Sequence, residues 1–156
     1  MTIQKQLGGQ KQQGFSLIEI MVVIVIMGLL LSYVAPKVFQ NVEKAQLQKV
    51  QADFSSIKTA LANYRLDNFI YPTSEQGLEA LVTKPQIAPE PRGWRSEGYL
   101  DKIPMDPWQR EYLYLSPGEN GKPFEIYTLG ADGVRGGTGQ DADISNWDDP
   151  NQPQQE

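Results

Sequence analysis

The chain has 156 residues, room for one modest domain plus a long helix. Its 14 Lys and Arg stand against 19 Asp and Glu, a net charge of −5 without a basic patch, so nucleic acid is not expected as a partner. It has no Cys and no His, which excludes disulfide staples, thiol catalysis and the usual zinc sites.

The first fourteen residues are a short polar leader containing Lys5 and Lys11 and no acid. An almost unbroken apolar run follows, from Phe15 to Val34. At about 1.5 Å per residue, twenty helical residues span roughly 30 Å, the thickness of a bilayer core. A basic leader before such a run favours a cytoplasmic N-terminus. It is not an ordinary secretory signal, because no small-residue cleavage site follows the run. One residue breaks the pattern. Glu19 sits in the first two turns, where an ionised carboxylate costs about 2.5–3.5 kcal/mol, so it needs a partner or a task. From the residues alone, the competing reading is a plain anchor with an incidental acid.

Pro36 interrupts the run by removing a backbone donor. Beyond it the helical pattern resumes: Val50, Phe54, Ile57, Leu61 and Tyr64 form one apolar stripe. This predicts a single helix from Phe15 to Asp67, apolar all round in its first half and amphipathic in its second. The stripe is either a coiled-coil seam or a face for a packed domain, and the second is the better reading. Thr73-Ser-Glu-Gln76 is a capping box that should open a second short helix, ended by Lys84-Pro85. The Pro- and Gly-rich stretch 85–98 should be irregular. Glu111–Leu115 and Phe124–Leu129 alternate as strands, and the turn residues between them predict an antiparallel hairpin. From Gly130 the chain is rich in Gly and Asp, and 151–156 is a polar tail.

The Gly-Asp segment combines sharp turns with hard oxygen donors, the chemistry calcium selects. Asp141-x-Asp143-x-Ser145 imitates the start of an EF-hand, but Asn146 and Gln152 stand where that loop needs Gly and Glu. A solvated acidic turn is the competing reading. Trp94, Trp108 and Trp147 could form a carbohydrate platform, but in a small domain they are better read as core or lid. Trp108 is expected to pack the sheet against the long helix, and Trp147 to pin the acidic loop. Ser16 has no His to activate it, and no acid pair comes with a pocket framework, so no enzyme is expected.

The Gly14-Phe15 junction with Ser16-Leu17-Ile18-Glu19 resembles the processing signal of type IV prepilins and pseudopilins. Three further blocks narrow the likeness: Tyr71-Pro72-Thr73-Ser74-Glu75-Gln76-Gly77-Leu78-Glu79-Ala80-Leu81, Asp106-Pro107-Trp108-Gln109-Arg110-Glu111-Tyr112 and Leu129-Gly130-Ala131-Asp132-Gly133. Together they resemble the major pseudopilins of type II secretion, the general secretion pathway protein G family. The Cys pair usual in type IVa major pilins is missing.

The resemblance implies an α+β, pilin-like fold, with a long N-terminal helix packed against a small antiparallel sheet and a C-terminal calcium loop. It divides the chain into a leader (1–14), a transmembrane and filament-core helix (15–35), a periplasmic domain (36–150) and the tail. It implies cleavage after Gly14, N-methylation of Phe15, and pairing of Glu19 with a Phe15 amine during assembly. Loosening of the helix between Gly28 and Pro36 in filaments is implied as well. For Ca2+ it implies Asp132 and Asp143 as side-chain ligands and Leu129 and Val134 as carbonyl donors, with Asp141 and Ser145 as further candidates. Implied partners are further copies of the chain, a prepilin peptidase and methyltransferase, minor pseudopilins, an inner-membrane platform with its ATPase, and an outer-membrane secretin. The alternatives are a subunit of a type IV pilus or DNA-uptake filament, and, from another class, a membrane-tethered enzyme or sugar-binding module.

Overall fold

The computed structural model describes residues 14–148, without the side chains at positions 35–37, 39 and 40. The rest of the expected leader and the polar tail lie outside the described residues. Helix α1 runs Leu17–Asn68, 52 residues, within two positions of the expected ends. The chain divides into two compact units, one ending at Asn41 and the other starting at Val42.

In the first unit, Leu17–Val34 has a mean hydropathy of 2.7 and none of it is buried. By length and composition it could cross a membrane. Such a surface in water would be costly, at about 25 cal/mol per Å² of apolar area.

In the second unit the stripe is a packing face. Val50, Phe54, Ile57, Leu61 and Tyr64 are all at most 1% exposed. They share a core with Leu78, Leu81, Tyr112, Tyr114, Ile126 and Ile144. The Phe54 and Tyr112 rings meet at 5.3 Å. A polar tie runs beside them: the Tyr112 hydroxyl donates to Asp53 Oδ2 at 2.7 Å, and Lys49 Nζ donates to the same oxygen at 2.6 Å. Lys49 also donates to the Met105 carbonyl.

α1 ends through its own side chains. Asn68 Nδ2 donates to the Tyr64 carbonyl at 3.0 Å, and Asn68 Oδ1 accepts from the Gly93 amide at 2.9 Å. Phe69 then turns left-handed, at φ 67°, and its amide donates to the Arg65 carbonyl at 2.7 Å. This is the usual terminating geometry, carried here by Phe rather than Gly.

The capping box forms as expected. Thr73 N donates to Gln76 Oε1 at 3.1 Å, and Gln76 N donates to Thr73 Oγ1 at 3.2 Å. The short helix it opens is a single 3-10 turn at Leu78–Leu81, ending before Lys84-Pro85. Gly77 lies at φ 61°, which breaks α continuity right after the box. Gln76 Nε2 is drawn to the Ile87 and Pro89 carbonyls at 2.9 and 3.0 Å. One buried glutamine therefore orders the proline-rich stretch.

The sheet is three-stranded and antiparallel, in the order β1 (Leu113–Leu115), β2 (Glu125–Thr128), β3 (Ile144–Ser145). Tyr114 pairs with Ile126, and Thr128 pairs with Ile144. The hairpin lies where the alternation predicts it, with shorter strands, and Glu111 makes an isolated bridge to Met105. β3 is not foreseen in the sequence, because two residues carry no period. The three tryptophans have structural partners. Trp94 Nε1 donates to the Ala80 carbonyl at 2.9 Å, Trp108 packs half-buried on the core, and Trp147 Nε1 donates to the Phe124 carbonyl at 2.6 Å.

Candidate functional site

The processing end is simple. Gly14, Phe15 and Ser16 precede α1, and the Ser16 carbonyl accepts from the Glu19 and Ile20 amides at 3.0 and 3.2 Å. The Gly14–Phe15 bond is therefore outside the helix, and Phe15 is exposed. Glu19 lies in the first turn, where the helix dipole favours a negative charge. A new α-amine at Phe15 would start one turn before it.

The second candidate is the Gly-Asp loop between β2 and β3. It is built from β2 outward by two residues with no role foreseen in the sequence, Asp106 and Arg110. Asp106 is fully buried. Its Oδ1 accepts from the Trp108 and Arg110 amides at 2.9 and 2.8 Å, and its Oδ2 accepts from the Thr128 hydroxyl at 2.6 Å. One carboxyl thus fixes both the turn before β1 and the last residue of β2. Arg110 continues the bracket, with Nη1 donating to the Gly130 carbonyl at 2.7 Å and Nη2 to the Ala131 carbonyl. The signal was the Asp-Pro-Trp-x-Arg block, which contains a carboxylate and a guanidinium at fixed spacing.

Beyond this bracket the loop folds back on itself. The Gly133 amide donates to the Leu129 carbonyl at 3.1 Å, and the Ala131 amide to the Gln140 carbonyl at 2.8 Å. A Cβ on Gly137 would lie 2.5 Å from the Asp141 carbonyl oxygen, and one on Gly130 would lie 2.6 Å from the Asp141 carbonyl carbon. Only glycine permits that closeness, and both residues have positive φ.

The candidate ligands fall into two limbs. Leu129, Asp132 and Val134 share the first turn, where Asp132 is exposed and its Oδ1 accepts from the Val134 amide at 2.9 Å. Asp141 ends a short turn, Gly139–Asp141, and is exposed. Asp143 is half-buried, with Oδ2 accepting from the Gly136 amide at 3.0 Å. Ser145 lies on the sheet, where its hydroxyl donates to Glu125 Oε1 at 2.8 Å. Asp143 and Ser145 line a depression of about 220 Å³ together with Glu119, Glu125, Asp148 and Arg135. Arg135 is paired with Glu119 at 2.8 Å, which raises the pKa of its guanidinium.

No group of three or more Asp, Glu, His or Cys converges on one point among the described residues. A cation in this loop would draw on carboxylates from both limbs, supplemented by carbonyls. Those are hard oxygen donors on a glycine-turned backbone, and they fit calcium.

Comparison with known proteins places these features. Residues 37–147 match the family model "Type II secretion system (T2SS), protein G", and residues 9–35 match the prokaryotic N-terminal methylation motif. The type II secretion system core protein G of Vibrio cholerae is 54% identical over 138 residues, covering 88% of this chain and 93% of the relative. That of Pseudomonas aeruginosa is 52% identical over 139 residues, covering 89% and 97%. The crystal structure of the major pseudopilin from the type 2 secretion system of enterohaemorrhagic Escherichia coli aligns with a TM-score of 0.63 at 45% identity, covering 70% of this chain and 92% of that one. The family model matches most of the chain and relatives of about half identity span nearly all of it, so the chain belongs to the type II secretion system protein G family.

Proposed function

We propose that this chain is the major structural subunit of a type II secretion pseudopilus, held in the inner membrane by Leu17–Val34 with its globular unit in the periplasm. The observation that carries this reading is the unburied apolar surface of α1 behind a methylation motif. A prepilin peptidase cuts after Gly14 and methylates Phe15. Subunits then join a filament whose core is built from their apolar helices, and Glu19 neutralises a Phe15 amine there. The inner-membrane platform and its ATPase drive addition, minor pseudopilins join the same assembly, and the filament helps move folded proteins through the outer-membrane secretin. The chain acts as a substrate of processing enzymes and performs no chemistry itself. The 46–54% identities to core protein G relatives favour this reading over a surface pilus or DNA-uptake filament.

Mass spectrometry of the membrane-extracted protein tests it. The expected N-terminus is Phe15, heavier by one methyl. Glu19→Ala should be cleaved equally and form no filaments. An intact leader, or normal filaments from Glu19→Ala, would overturn the assignment.

The loop is proposed to hold calcium through Asp132 and Asp143, with the Leu129 and Val134 carbonyls and with Asp141 and Ser145 as further donors. Bound there, calcium supplies a fixed divalent charge that joins the two limbs, so its binding energy adds to folding energy. Titrating the full chain in detergent with calcium should give saturable binding that weakens at least tenfold in Asp132→Ala. Absence of saturable binding would remove this part of the reading.

A further inference from the structure

We propose that Arg110 is a positioning residue for the cation loop: its guanidinium takes the Gly130 and Ala131 carbonyls and so decides which oxygens of the first limb remain for the metal. This rests on the calcium reading above. The guanidinium is a planar fork of five donors, suited to holding two acceptors at once. Here both Nη atoms are used, on two successive carbonyls. In extended chain, successive residues face opposite ways. The turn begun by Gly130 at φ 61° lets both carbonyls meet one group.

Three further observations support the assignment. A Cβ on Gly133 would lie 2.7 Å from Nη1 and 2.8 Å from Cζ, so the far side of the turn lies flush on the guanidinium. The ion pairs found among the described residues are Lys49–Asp53, Arg95–Asp67 and Arg135–Glu119, so Arg110 is balanced by carbonyl dipoles rather than a carboxylate. Its backbone is fixed by the buried Asp106, which also holds Thr128, the residue before the loop. The positive charge is therefore built in before any metal arrives. It shapes the first limb and disfavours a second cation at the Gly130 and Ala131 carbonyls. Leu129 O, the Asp132 carboxylate and Val134 O are the oxygens it leaves for calcium.

The test uses the full processed chain in detergent. Calcium titration should show at least tenfold weaker binding in Arg110→Lys, which keeps the charge but loses the fork. In calcium-free protein, the Ala131 and Gly133 amides should exchange faster in this variant while the β1–β2 amides stay as in wild type, a pattern that general destabilisation would not give. Affinity within twofold of wild type, or unchanged loop exchange, would overturn the proposal. If wild type itself binds no calcium, the calcium reading fails and takes this inference with it. Equal binding by wild type and variant sinks only the inference. Should the variant not fold, NMR of the Arg110 side chain in calcium-free wild type decides: slowed guanidinium rotation supports the bracket, and free rotation overturns it.

Discussion

Asp106→Ala should lower stability by about 3–5 kcal/mol, more than any surface change in this chain. The residue is fully buried and accepts three hydrogen bonds, from the Trp108 and Arg110 amides and the Thr128 hydroxyl. Removing the carboxyl leaves three donors in a dry site. An orphaned buried polar group costs about 1–3 kcal/mol, and local relaxation recovers part of the total. Asp106→Asn should cost less, because one oxygen can still accept both amides and the Thr128 hydroxyl can reverse to accept from the new NH2. The order Ala, then Asn, then wild type is the signature to look for in denaturant unfolding. A loss below about 1 kcal/mol for Asp106→Ala would show that water or another donor replaces the carboxyl. The change should also loosen the loop, since Arg110 would lose the anchor that aims it.

The parts legible in the sequence are those with a long period or a distinctive chemical contradiction. The stripe Val50-Phe54-Ile57-Leu61-Tyr64 repeats at helical spacing over four turns, and all five side chains are buried. Glu19 is conspicuous because a carboxylate does not belong in an apolar run. The capping box was equally legible, since Thr73 and Gln76 do bond reciprocally, but what it opens was decided by one neighbour, Gly77 at φ 61°. β3 has no signal in the sequence, because two residues, Ile144 and Ser145, are held as a strand by pairing with Thr128 and Tyr127 rather than by any preference of their own.

The loop shows the limit most clearly. Its acids were visible one by one, but the order among them comes from long-range contacts. Ser145 follows the spacing Asp141-x-Asp143-x-Ser145, yet its hydroxyl belongs to Glu125, twenty residues away in sequence. Arg110 is likewise twenty residues from the carbonyl it holds. Local spacing says which donors are available, and the sheet decides which way they face.

Alkaline pH should unfold the globular unit through its buried tyrosines. Tyr112 and Tyr114 are each under 10% exposed, and burial, their largest perturbation, pushes both hydroxyls well above the ordinary tyrosine pKa. For Tyr112 the hydrogen bond to Asp53 adds to the rise. Both hydroxyls donate in the fold, to Asp53 Oδ2 at 2.7 Å and to the Pro72 carbonyl at 3.0 Å, so the neutral form is the one the structure holds. In the unfolded chain tyrosine loses its proton near pH 10. Above that pH the unfolded state binds fewer protons than the folded state, and stability falls as pH rises. Their contribution is whole below about pH 10 and declines by about 1.4 kcal/mol per pH unit for each tyrosine above it. Two tyrosines lose about 5 kcal/mol by pH 12, comparable to the whole stability of a small domain. Tyrosinate absorbance should then rise together with the loss of helix signal, in one cooperative step. Tyr112→Phe and Tyr114→Phe should each flatten the alkaline limb, and the double variant most of all. Tyrosinate appearing near pH 10 with the fold intact would mean that water reaches these hydroxyls, and it would disprove the packing of Tyr112 against Phe54 of α1.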